Sequence, residues 1–260
     1  MKADLIDKNG KETTQVEVPH NFSKSVRKDI VLKAFEAKKV MQPHGTSIYA
    51  GKIHSASGII GHKRHSWKVS YGRGISRVPR KIMSRDGTSF NWVGATAAGT
   101  RGGRRAHPPK AWENQFRKIN KKEMLIAINS SFSATAEKKI LESKYSIKIN
   151  KKLPVIVSSE VLKLETKTFY ELLEKIFGTL NKVLKERRLR AGRGKLRGRR
   201  YRTNVGLLFV IGDNEKMKIN GIDIIKVQDL RLKDLAPNGV VGRLTVYTEN
   251  AIKEIAKRFV

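Results

Sequence analysis

From Leu153 onward the apolar positions switch repeatedly between two spacings. Leu153 to Ser158 is a strand-sized apolar run. Phe169, Leu172, Leu173, Ile176, Phe177, Leu180, Val183 and Leu184 then recur three and four apart, which predicts one long amphipathic helix. Thr168, with Glu171 three residues on, predicts its N-terminal cap. Val205 to Ile211, Ile222 to Val227 and Leu244 to Tyr247 predict three more strands. A last helix is predicted from about Thr248, with Ile252, Ile255 and Phe259 facing inward. In the N-terminal part, Thr13 to Val18 alternates as a strand does, and Val26, Ile30, Ala34, Ala37 and Met41 share one helical face that Pro43 and Gly45 end. Asn120 and Glu123 predict a capping box for a helix through Met124, Leu125, Ile128 and Phe132. Strands alternating with helices predict an α/β fold: a single domain with a mainly parallel sheet flanked by helices.

Between the first two helices the pattern stops. Residues 44–110 contain no Leu and no Glu, and they hold thirteen Lys and Arg against one acid, Asp86. They also hold 11 of the 21 glycines and five of the six histidines. Such a stretch has too little apolar volume to bury a core of its own. A structureless connection of this length is functional or disordered, and the interleaved aromatics and isoleucines argue for function. The expected architecture is therefore one α/β domain over 1–260, interrupted by an extended basic loop at 44–110, with 190–204 as a second basic segment.

Charge sharpens this picture. The formal net charge is +32 over 260 residues. The insertion carries +12, and Lys182 to Arg202, with eleven basic residues and Glu186, carries +10. Charge gathered into two segments on this scale asks for a polyanion that relieves the repulsion, and RNA is the expected partner. Lys and Arg neutralise phosphates, glycines let the backbone approach them closely, and aromatic rings stack on unpaired bases. A membrane partner is not expected, since no apolar run nears the roughly 18 residues of a span. The first residues, Met1-Lys2-Ala3-Asp4, lack the apolar core of a signal peptide. The absence of Cys rules out disulfides and thiolate metal ligands and fits a cytosolic protein.

In the insertion the candidate phosphate contacts are Lys63, Arg64, Lys68, Arg73, Arg77, Arg80, Lys81, Arg85, Arg101, Arg104, Arg105 and Lys110. In the second segment they are Arg190, Arg193, Lys195, Arg197, Arg199, Arg200 and Arg202. Tyr49, Trp67, Tyr71, Phe90 and Trp92 are candidates for stacking, with His65, Gly72 and Gly74 beside them. Gly192, Gly194 and Gly198 stop the preceding helix from running on, so the second segment is expected as a loop clamped on RNA backbone. The bland alternatives are a disordered basic linker for the insertion and a solvated basic turn for the second segment. No metal site is expected, because the histidines have no Cys and one carboxylate among them. No cofactor is expected either. Gly72-Arg73-Gly74 lacks the third glycine of a dinucleotide fingerprint, and no Gly-x4-Gly-Lys-Ser/Thr run occurs. No nucleophile elbow or triad spacing supports catalysis. Two rival readings remain. An RNA-modifying enzyme would need a cofactor loop after a strand, and Gly212-Asp213-Asn214 is short and acidic for that. A chromatin-type protein would prefer duplex DNA to structured RNA.

Four runs occur in one order: GRGISRVPR (Gly72 to Arg80), RGGRRAHPPK (Arg101 to Lys110), RAGRGKLRGRRYR (Arg190 to Arg202) and DLAPNGVVGRLTVYTENAI (Asp234 to Ile252). Together they resemble the archaeal and eukaryotic branch of the large-subunit ribosomal protein four family, over nearly the whole chain. The resemblance implies a structural protein of the large ribosomal subunit that binds 23S-type rRNA. It implies a globular domain on the solvent side and a loop that helps line the polypeptide exit tunnel. On that analogy residues 65–77 approach the tunnel wall and the nascent polypeptide, with Trp67, Arg73 and Gly74 at the tip. The C-terminal part is implied to dock neighbouring large-subunit proteins. Residues 84–98 depart from the family's pattern.

Overall fold

Val155-Ile156-Val157 sends consecutive side chains to opposite sides of a strand, and all three are buried. Such a strand belongs inside a sheet covered on both faces. The computed structural model describes residues 1–39, 64–65, 70–72, 74–95, 99–101, 106–107, 117–149 and 151–259. Its strands in chain order are β1 (Lys2–Ile6), β2 (Glu12–Glu17), β3 (Arg80–Asp86), β4 (Ser89–Gly94), β5 (Val155–Val157), β6 (Arg187–Leu189), β7 (Tyr201–Thr203), β8 (Leu208–Ile211), β9 (Asp223–Lys226) and β10 (Thr245–Thr248). Its helices are α1 (Lys28–Lys39), α2 (Lys121–Ala136), α3 (Lys138–Tyr145), α4 (Thr166–Phe177), α5 (Leu232–Leu235) and α6 (Glu249–Arg258).

The main sheet runs β2-β1-β5-β10-β8-β9. Only β1 and β2 pair antiparallel, and every other neighbour is parallel, as the sequence predicts. Alternate residues feed two cores. Val155, Val157, Phe209, Ile211 and Val246 meet α4 on one face. Ile156, Leu208, Val210 and Tyr247 meet Phe132 of α2 and Ile252 and Ile255 of α6 on the other. The Tyr247 phenol is fully buried and satisfied by Thr135 Oγ1 at 2.9 Å. A third cluster joins Val31 and Ala34 of α1 to Ala127 and Ala134 of α2.

The caps differ in detail from expectation. Thr248 caps α6, its Oγ1 accepting from the Ala251 amide at 3.2 Å. Asn120 stands at the N-cap of α2 but makes no side-chain cap bond, and Glu123 instead pairs with Lys33 at 2.8 Å. Thr168 lies inside the first turn of α4, where its hydroxyl bonds the Glu165 carbonyl; Glu165 is the N-cap. The predicted long helix is also too long. Gly178, at φ 75°, ends α4 after Phe177, because glycine takes the left-handed cap without a Cβ clash. Leu180, Val183 and Leu184 still pack on the same core from a turn, which is why the apolar stripe outruns the helix.

The chain divides into two compact units, 1–39 with 117–260, and 40–116. Within the second, β3 and β4 form an antiparallel hairpin turning at Gly87, inside the insertion that the sequence predicts. Among the described residues, the three apolar clusters of the first unit draw no member from 40–116. Deleting 60–95 should therefore leave a cooperatively melting α/β domain, read by far-ultraviolet circular dichroism; a non-cooperative melt would contradict it.

Candidate nucleic-acid interface

The second basic segment is the tip of a hairpin: residues 190–200 form the expected loop, and a short strand pair that the sequence did not show holds it. β6 and β7 pair antiparallel, with Arg187 opposite Thr203, Arg188 opposite Arg202 and Leu189 opposite Tyr201. Residues Arg193–Arg197 form a 3-10 turn at its apex, closed by Gly198 at φ 74°. Its strands carry almost no alternating apolar pattern, so charge concealed them. Arg190, Arg193, Lys195, Arg197, Arg199, Arg200 and Arg202 are all solvent-exposed. Of the arginines from 187 to 202, only Arg188 has an acidic partner among the described residues, Glu186 at 2.7 Å. The rest carry charge that no described carboxylate neutralises.

The root of the hairpin is held by groups that sequence reasoning missed. Asn204 accepts from the Glu186 amide at 2.7 Å and donates to the Leu184 carbonyl at 2.9 Å. Arg243 is buried on the neighbouring β10 side. Its guanidinium donates to the carbonyls of Val205, Gly206 and Asp234 at 2.9 to 3.0 Å, and to Asp223 Oδ2 at 2.5 Å. Lys185 reaches the other oxygen of the same carboxylate. Burial pushes the Asp223 carboxyl up, but the bonds from Lys185 and Arg243 outweigh it and the net shift is downward. The signal in the sequence was a lone Arg inside an apolar run, Val240 to Tyr247.

Gly206, at φ 66°, lets β8 leave the hairpin. A Cβ there would lie 2.9 Å from Lys185 Cγ and 3.1 Å from the Val183 carbonyl oxygen. Gly206→Ala should cost more than about 1 kcal/mol, since left-handed strain and overlap act together. A shift in the urea midpoint would measure it.

One face of the hairpin lines an open groove of about 480 Å³, with Lys144, Tyr145, Lys182, Arg188 and Arg202 on its walls. Lys144 donates to the Val240 and Val241 carbonyls. Burial, with repulsion from Arg243, pulls its pKa down to about 8. The folded value lies below the usual 10.5, so between those limits the unfolded chain holds a proton that the fold has released. Stability relative to a Lys144→Met variant should therefore rise as pH climbs from about 8 to about 10, measured by urea midpoints at each pH.

In the other unit, Arg64 and Arg77 both lie over the Tyr71 ring, their guanidinium carbons 5.5 and 4.9 Å from its centre. Three of the predicted residues thus meet. Arg80 bonds the Ser76 hydroxyl at 2.7 Å, and Arg85 the Gly87 carbonyl at 2.9 Å. Arg77, Lys81, Arg85 and Arg101 are exposed, and so are His65, Gly72 and Gly74, while Trp92 is half-buried. His65, Gly72 and Gly74 have positive φ. Tyr49, Lys63, Trp67, Lys68, Arg73, Arg104, Arg105 and Lys110, and the helix stop at Pro43 and Gly45, lie outside the described residues, as does the side chain of Phe90.

Residues 16–258 match the model of the ribosomal protein L4/L1 family. The chain belongs to that family. It is 38% identical to the large ribosomal subunit protein uL4 of Nanoarchaeum equitans, over 99% of this chain and 98% of that one. The uL4 proteins of Sulfurisphaera tokodaii and Methanocaldococcus jannaschii are 36% and 34% identical, over 99% and 100% of this chain and 95% and 100% of theirs. The archaeal-type resemblance expected from the four motifs is thereby confirmed.

In this L4/L1 family chain, the backbone amides of the turn after β8 are taken up by its own carboxylates. Beyond β8, the Gly212 amide donates to Glu215 Oε2 at 2.7 Å and the Asp213 amide to Glu254 Oε2 at 2.9 Å. Glu215 also accepts from Thr248 Oγ1 and Asn250 Nδ2. No helix directly follows β8 among the described residues, so the helix N-terminus on which a dinucleotide fold holds pyrophosphate is absent there. No helix among the described residues is long and apolar enough to cross a membrane.

Proposed function

We propose that this chain is a structural constituent of the large ribosomal subunit that binds large-subunit rRNA through two basic surfaces. The observation that carries the reading is the hairpin at 187–203: a rigidly rooted strand pair with its connecting loop, whose arginines, apart from Arg188, have no acidic partner among the described residues. Such a surface neutralises phosphate and releases counterions. The family supports the assignment, because the relatives are proteins of the large ribosomal subunit.

The candidate contacts of the inserted unit, among them Arg64, Arg77, Lys81 and Arg101, form the second surface. Through that unit the protein helps line the exit tunnel, with the nascent polypeptide near its tip and neighbouring large-subunit proteins around the globular domain. It supports subunit assembly and translation in the cytoplasm and performs no chemical step. The carboxylates of Glu215 and Glu254 at the β8 turn count against the RNA-modifying alternative.

Crosslinking of native large subunits, with peptides mapped by mass spectrometry, tests the proposal. Crosslinks from both 190–204 and 64–101 to rRNA are expected. Absence of the chain from the large-subunit fraction would overturn it, and preferential binding of duplex DNA over structured RNA would favour the chromatin alternative.

A further inference from the structure

The two faces of the basic hairpin are chemically different. Opposed residues of an antiparallel pair share a face, so Arg188 and Arg202 turn one way and line the groove, while Leu189 and Tyr201 turn the other. Leu189 is 59% and Tyr201 49% exposed. An isolated exposed Leu needs no explanation. A Leu and a Tyr directly opposed on a charged two-stranded ribbon form a small flat apolar surface, and in a free protein it gains nothing from facing water.

The backbone beneath this surface is fixed. The Arg190 amide donates to the Arg200 carbonyl at 3.0 Å, and Arg190 Nε donates to the Tyr201 carbonyl at 3.1 Å. The Arg200 guanidinium lies 5.7 Å from the Tyr201 ring centre. A ligand that satisfies this face must present an apolar plane and a negative charge within a few ångströms of each other. A nucleotide does so, with its base and its phosphate. An aromatic ring on an open strand, flanked by arginines, is how single-stranded segments of RNA are held.

We propose that Leu189 and Tyr201 form a stacking platform for an unpaired nucleotide of RNA, with Arg200 placed to meet its phosphate. The platform rests on the reading of the hairpin as an RNA-binding surface, and it adds a contact by shape to the contacts by charge. It makes the preferred target a bulge, loop or junction in place of a continuous duplex.

Full-length chain would be titrated against deproteinised archaeal large-subunit RNA over a range of salt concentrations. Tyr201→Ser should weaken binding by about tenfold with its salt slope unchanged, because stacking releases no counterions. Tyr201→Phe should bind as the native chain does. Ultraviolet irradiation of the complex should attach a nucleotide to the peptide containing Tyr201. If Tyr201→Ser binds normally while neutralising Arg193, Arg197, Arg199 and Arg200 abolishes binding, the platform is wrong and the RNA surface stands. If the arginine variant also binds normally, the RNA-binding reading of the hairpin fails with it. Loss of affinity for an acidic large-subunit protein, and not for RNA, would overturn the platform in favour of a protein contact.

Discussion

Replacing Arg243 with Met is expected to destabilise the α/β domain by about 3 to 5 kcal/mol, because several interior carbonyls lose their donor at once. The guanidinium is 3% exposed and joins Asp223 to four backbone carbonyls, Val205, Gly206, Leu207 and Asp234. Met fills much of the volume but donates nothing. The carbonyls of Val205, Gly206 and Asp234 then lose their donor at a point that water reaches poorly, while Leu207 keeps the Asp223 amide, and each orphaned acceptor costs about 1 to 3 kcal/mol. Asp223 is partly exposed and keeps Lys185, so it relaxes and the total stays below the sum of the parts. Arg243→Lys should recover only part of the loss, because an ammonium cannot span carbonyls on opposite sides of the site. Urea unfolding with an unchanged m-value would measure both variants, and a loss below 1 kcal/mol for Met would sink the argument. The same linkage sets an acid limit. The Asp223 pKa is depressed in the fold, so its contribution is complete above the usual value of 3.8 and is lost as pH falls below it.

The strands that build the centre of the fold were visible as apolar runs because both faces of β5, β8 and β10 are buried. β1 was not visible. It lies between β2 and β5, and Lys2-Ala3-Asp4-Leu5-Ile6 gives too short an alternation to stand out. α3 buries Leu141 alone, so it offers no stripe. α4 was drawn too long because turn residues after Gly178 enter the same core. At the interface, composition located the charge but not its scaffold. A run such as Arg187 to Arg202 has no period, and strands β6 and β7 are set by Asn204 just beyond them and by Asp223 and Arg243 farther along the chain. A buried arginine is rare enough that a sequence alone places Arg243 on the surface. Burying it is possible here because the hairpin root turns several carbonyls inward at once.

Neutralising Arg193, Arg197, Arg199 and Arg200 together as Gln is expected to lower affinity for large-subunit RNA by roughly a thousandfold at about 0.1 M salt. Each phosphate contact contributes about 0.7 to 0.9 to the slope of log affinity against log salt, so the slope should flatten by about 3. All four side chains are exposed, and the hairpin's own bonds run through Arg190, Asn204 and backbone groups. The variant should therefore melt at the native temperature or slightly above it, since like charges on one turn repel. That separates lost contact from lost structure. Restoring charge with four Lys residues should bring back the slope but not the whole affinity. An ammonium counts as a point charge in counterion release, whereas a guanidinium fork grips two phosphate oxygens in one plane. A slope unchanged in the Gln variant would mean that the hairpin faces solvent in the assembled particle and that the RNA lies against the other basic unit alone.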